Sequence, residues 1–125
     1  MEFRVRRVYD APARGEGRRV LVDRLWPRGK SKADLDGVPW VKSIAPSDGL
    51  RHWFDHDPAK WPEFRRRYFA ELDANPEGLA ELRKALGRGT RATLLYSAHD
   101  AEHNNAVALA EYLAQSSTRQ NTALR

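Results

Sequence analysis

The run Val20-Leu21-Val22-Asp23-Arg24-Leu25-Trp26-Pro27-Arg28-Gly29 constrains this chain more than any other stretch. It opens with three continuously apolar residues, as in a strand buried on both faces of a sheet. With no polar spacer it then passes into Asp23, Arg24, Trp26, Pro27 and Arg28. A solvent loop has little use for a Trp between two Arg, and a core strand has none for an Asp–Arg pair. A central strand whose C-terminal end carries a binding site accommodates both halves, because open α/β sheets place ligands outside the carboxyl ends of their strands.

The remaining sequence alternates strand and helix signals. Residues 3–9 read as a strand with Phe3, Val5 and Tyr9 on one face and Arg4 and Arg6 on the other. The opening block supplies a strand over 18–26, alternation gives a short one over 40–45 closed by Pro46, and 92–96 is a second buried strand. Ser31 caps a short helix through about Asp36, and Ser47 caps one over 48–55. Asp57-Pro58 opens a helix in which Trp61, Phe64, Tyr68 and Leu72 share a face, with Arg65, Arg66 and Arg67 outside. Another helix covers 77–86 and stops at Gly87. The turn 97–100 leads into a helix through about Gln115, with His103, Ala106, Ala110 and Leu113 facing inward. This order predicts one α/β domain over residues 1–115: a three-layer sandwich with a small, mostly parallel sheet flanked by helices. Residues 116–125 read as a frayed or disordered polar tail.

A chain of 125 residues suffices for one such domain, and 41% hydrophobic with 31% charged residues fits a globular protein. No apolar run approaches the ~20 residues of a membrane span, and the first residues have no apolar signal core, so the cytoplasm is expected. The absence of Cys removes disulfides, thiolate metal sites and Cys nucleophiles together. Of 22 basic residues 17 are Arg, and the formal net charge is +5. Two explanations stand: an anionic partner suited to the guanidinium fork, or an Arg-biased genome.

A parallel sheet brings residues 9–10, 23–28, 46–47 and 97–104 to one edge. The pocket expected there is formed by Tyr9, Asp10, Asp23, Arg24, Trp26, Arg28, Ser47, Ser97, His99, His103 and Asn104. Arg24 and Arg28 would hold an anion, helped by backbone N–H groups at a helix start over 97–100. Trp26 would wall the pocket, and His103 or Asp23 would move a proton. The architectural alternative has Asp23 facing a helix N-terminus or Arg51, and Arg24 facing Asp10, with Ser97 and Asp100 as a satisfied cap. The pairs His99/His103 and His52/His56 are spaced four apart, yet no metal is assigned to them. No dinucleotide fingerprint or Walker loop implies a cofactor, and neither Ser lies in a nucleophile elbow. Three functions follow: a small enzyme or binding protein for an anionic metabolite, phosphorylated ones included; a nucleic-acid-associated module using the Arg-rich face; or a non-catalytic interaction protein with a structural polar network. Whether the protein is an enzyme, and its oligomeric state, stay open.

The chain resembles the DUF488 family, in its YeaO-like branch, over nearly its whole length. The resemblance is carried by Arg7-Val8-Tyr9-Asp10, by the run from Arg19 to Gly29, and by Trp40 with Ile44-Ala45-Pro46-Ser47 and Leu50-Arg51. Trp53-Phe54, the run from Phe64 to Leu72, and Leu94-Leu95-Tyr96-Ser97-Ala98 with His103-Asn104 and Ala106 complete it. The resemblance implies a compact α/β domain and supplies no reaction. Members commonly carry Lys where this chain has His99, so a role needing a primary amine there does not carry over.

Overall fold

The computed structural model describes the backbone of residues 1–123 and the side chains of residues 1–116. Three strands, β1 (Glu2–Arg7), β2 (Arg18–Leu21) and β3 (Arg91–Tyr96), form a parallel sheet in the order β1-β3-β2. The α/β class follows. The central strand, however, is β3 and not the strand of the opening block. β3 is buried from Ala92 to Tyr96, with Leu94 opposite both Val5 and Val20. β2 is an edge strand whose open side is covered locally: Leu21 donates to the Pro39 carbonyl and accepts from Val41 N.

That cover is all that remains of the strand expected over 40–45. Trp40 makes one isolated parallel bridge to Leu21, and the chain then winds into a 3-10 turn, Lys42–Ile44. Pro39 and Pro46 bracket the segment and deny a ladder two N–H donors. The apparent alternation is satisfied differently, because the turn drives Ile44 into the core, where its carbonyl accepts from the buried Tyr68 hydroxyl at 2.6 Å.

The helices are α1 (Asp48–Phe54), α2 (Trp61–Asp73), α3 (Pro76–Leu86) and α4 (Asn105–Ala123). Ser47 caps α1 as its type predicts, its Oγ accepting from Leu50 N. The helix expected from Asp57-Pro58 divides into a 3-10 turn, Pro58–Lys60, and α2, which buries Phe64, Tyr68 and Leu72 on the anticipated face. Asn75 caps α3. α4 begins later than its apolar period suggests and continues past Gln115 to Ala123. The end of the expected tail, 124–125, lies outside the described residues.

α3 packs on β2 and α4 on β1 and β3, with α2 against both helices. The main core lies between them and the sheet, joining Val20, Val22, Leu94 and Tyr96 to Phe64, Tyr68, Leu72, Leu82 and Leu109. The second face carries a smaller core of Val8, Leu21, Leu35 and Leu95, with Trp26 and Val38 against it. Its third layer is therefore loop and a 3-10 turn, Ala33–Leu35. The segment 8–17 returns from the end of β1 to the start of β2 and carries the buried Glu16, whose carbonyl accepts from Thr93 Oγ1 at 2.8 Å. Among the described residues no helix is long and apolar enough to cross a membrane.

Candidate functional site

The carboxyl ends of all three strands deliver polar residues to one edge, as a parallel sheet requires. Asp23 follows the last apolar residue of its block and is half-buried. Its Oδ2 accepts from Ser97 N at 2.9 Å and Ser97 Oγ at 2.7 Å, and its Oδ1 from Asn105 Nδ2 at 3.1 Å. The same Asn105 amide donates to the Val22 carbonyl at 3.0 Å. Burial raises the Asp23 carboxyl above the ordinary carboxylate range, and the Ser97 and Asn105 hydrogen bonds pull the other way. Asn105 is the first residue of α4, so Asp23 does face a helix N-terminus. Sequence reasoning named Asn104 and missed Asn105; a doubled Asn before a helical period was the available signal.

Arg24 does not face Asp10. Its Nε donates to the Pro46 carbonyl at 3.0 Å and lies 3.5 Å from Asp48 Oδ1. As adjacent residues leaving a strand, Asp23 and Arg24 point apart and engage different elements. Arg51 joins this second group, with Nη2 3.4 Å from Asp48 Oδ1. Ser47 is doubly held: its N and Oγ donate to the two oxygens of Glu71 at 2.8 and 2.6 Å.

Trp26 and Tyr9 shape the loop over 27–30. Trp26 Nε1 donates to the Lys30 carbonyl at 2.6 Å, and the Tyr9 hydroxyl to the Arg28 carbonyl at 2.8 Å. Trp26 meets Trp40 edge-on at 5.4 Å, and Trp40 Nε1 closes the group by donating to the Asp23 carbonyl at 2.7 Å. The Arg28 side chain is exposed, with no partner among the described residues. Arg7, which the sequence did not place in the pocket, ties the edge together by donating to the Ser97 and Ala98 carbonyls.

The segment 97–104 is not the start of a helix. Asp100 Oδ1 accepts from Glu102 N and His103 N, while its Oδ2 meets His103 Nδ1 at 2.8 Å. These contacts hold the Asp100 carboxyl below its usual range, the Glu102 amide contributing most. The α4 cap is the buried Asn104, whose Oδ1 accepts from Val107 N at 3.0 Å. His103 consequently leaves the inward stripe of the helix and stands edge-on to Trp61 at 5.4 Å, half-exposed. His99 is exposed and shares no helix face with it. Among the described residues no group of three or more His, Cys, Asp or Glu is arranged to hold a metal. Of the backbone donors over 97–100, Ser97 N is taken by the protein's own Asp23, and the Asp100 carboxylate takes the amides of Glu102 and His103 that follow.

The three arginines of α2 share two internal carboxylates. Arg65 pairs with Glu111 and Arg66 with Glu63, while Arg67 pairs with Glu63 and lies over the Trp53 ring at 4.2 Å. Arg66, then Arg67, bring the Glu63 carboxyl down to about 2.

The chain is 44% identical over 104 residues to the uncharacterized protein Rv3073c of Mycobacterium tuberculosis, covering 83% of this chain and 87% of that protein. It is 41% identical over 113 residues to the uncharacterized protein YeaO of Escherichia coli, covering 90% and 97%. No solved structure matches it. Residues 2–125 match the family described as the inactive DUF488-N3 subclade. The chain belongs to the DUF488 family, within that inactive subclade.

Proposed function

We propose that this is a non-catalytic interaction protein that docks an acidic segment of another protein at the carboxyl edge of its sheet. The observation that carries the reading is the internal use of the polar groups a reaction would need. Asp23 is held by Ser97 and Asn105, Ser47 by Glu71, and the turn amides by Asp100. Apolar and cationic side chains face outward at this edge, as do the carboxylates of Asp10 and Asp48. Tyr9, Leu25 and Trp40 are 38%, 58% and 37% exposed, and Arg28 and Lys30 stand beside them. Arg7 and Lys30 lie over the Tyr9 ring and Lys42 over Trp40. Cations over the ring faces favour carboxylates over a stacked nucleobase. The description of the subclade as inactive fits the same reading, and the cysteine-free composition fits a cytoplasmic setting.

Titration with a Glu-rich peptide carrying one Leu tests it. Leu25→Ser and Arg28→Ala are each expected to weaken binding about tenfold without lowering the Tm, since both side chains are exposed. Equal binding by wild type and variants overturns the reading. Single-stranded RNA bound more tightly than the peptide, with the same variant dependence, transfers the edge to nucleic acid.

One observation favours an enzymatic reading. His103 Nδ1 is oriented by Asp100, as a general base is by its carboxylate partner. Turnover of any substrate abolished by His103→Gln, with the Tm retained, would establish that reading in place of the first.

A further inference from the structure

We propose that the opposite end of the sheet binds a compact phosphate ester. An open groove of about 810 Å3 lies there, at the amino ends of β2 and β3, and shares no residue with the edge described above. Its volume is that of a small-molecule site, but its chemistry is cationic: Arg18, Arg19 and Arg91 line it, with Asp36 as its carboxylate.

The three guanidinium groups differ in what already engages them. Arg18 is exposed and has no partner among the described residues. It rests against the backbone that leaves α3, where a Cβ on Gly87 would meet its Nε and Nη2 at 3.7 Å. The C-terminus of α3 offers roughly half a negative charge, which holds this cation at the rim without neutralising it. Arg19 turns its Nε toward the buried Glu16 carboxylate at 3.1 Å, without a directed hydrogen bond, and Glu16 also pairs with Arg6 at 2.8 Å. The terminal nitrogens of Arg19 are left for the groove. Arg91 Nε is 3.4 Å from Glu2, an exposed pair that solvent weakens.

Glycine backbone forms much of the remaining wall. Gly15 and Gly17 both have positive φ, and a Cβ on Gly17 would stand 2.2 Å from the Arg91 carbonyl. Gly17 thus packs its bare face on the β3 backbone, whereas a Cβ on Gly15 would lie 3.2 Å from Arg91 Nη1, so the lack of a side chain at Gly15 leaves that guanidinium fork open to a phosphoryl group. No aromatic ring lines the groove to stack a base. Asp36 makes no ion pair among the described residues and is placed to accept from hydroxyl groups. The ligand these features fit is a phosphate on a small hydroxylated body.

Calorimetric titration with ribose 5-phosphate tests the site, with ribose, inorganic phosphate and AMP as parallel probes at matched ionic strength. Ribose 5-phosphate is expected to bind saturably and more tightly than the other three. Arg18→Ala and Arg91→Ala should each weaken it about tenfold or more, the loss of one charge-assisted contact. Arg18→Lys, which keeps charge and loses the fork, should fall between. Because these side chains are solvent-accessible, the Tm without ligand should hold, and circular dichroism confirms folding of each variant. Arg28→Ala should leave the affinity unchanged, so this outcome is independent of docking at the other edge. Binding no better than that of ribose, equal binding by inorganic phosphate, tighter binding of AMP, or indifference to Arg18 and Arg91 each overturns the proposal.

Discussion

Ser97 N, Ser97 Oγ and Asn105 Nδ2 converge on the Asp23 carboxylate from positions 74 and 82 residues away in the chain. Removing the acceptor strands all three donors at a half-buried point, so Asp23→Ala is expected to cost about 1–3 kcal/mol. Asp23→Asn separates the charge from the bonds. Burial holds the wild-type group above its unfolded-state pKa, so folding takes up a proton in the interval between the two values. The contribution of this group to stability is fully present below the unfolded-state pKa and is lost as pH rises through the folded-state one. Asp23→Asn should flatten that part of the curve in urea denaturation across the acidic range; an unchanged slope would assign the titration to another group. The sequence identified Asp23 and Arg24 as residues needing separate partners, because strand neighbours diverge. It could not name those partners, since Ser97, Asn105 and the Pro46 carbonyl meet them only through tertiary packing.

Elements whose ends are set by local chemistry were legible; those set by a distant acceptor were not. Ser47 before α1 and the apolar period of α2 act within a few residues and were read correctly. Ser97 and Asp100 have a capping spacing, but the Ser97 hydroxyl is used on Asp23, and the helix waits for Asn104. Trp40, Lys42 and Ile44 alternate like a strand, yet the flanking prolines and the core position of Ile44 favour a 3-10 turn. The returning segment 8–17 shows a similar dependence on close approach. Gly17 has a φ of 70° and a carbonyl where its Cβ would go, whereas Gly37 has a φ of 78° and open space. Gly37→Ala should therefore cost about 1 kcal/mol from the backbone alone, and Gly17→Ala more than about 2 kcal/mol. Guanidinium denaturation of the pair checks this; equal losses would mean that the segment is not pressed against β3.

At the scale of the whole molecule, alternating strand and helix signals were enough for the α/β class. Strand order was not readable, because Val20-Leu21-Val22 and Leu94-Leu95-Tyr96 are equally apolar and only packing makes one of them central. That order has a consequence for synthesis. β1 and β2 leave the ribosome first, and neither pairs with the other; both must await β3 at residues 91–96. Up to that point a nascent chain exposes two unpaired strands and half a core, surfaces that invite chaperones and aggregation. Chains arrested before residue 91 clears the exit tunnel should be digested rapidly by an added protease, and chains arrested after residue 96 has cleared it should begin to resist. Early resistance would require a sheet the native topology does not contain. Assembly is thus timed by the translation of a late segment, and slow codons placed before it would lengthen the most vulnerable interval in the life of the protein.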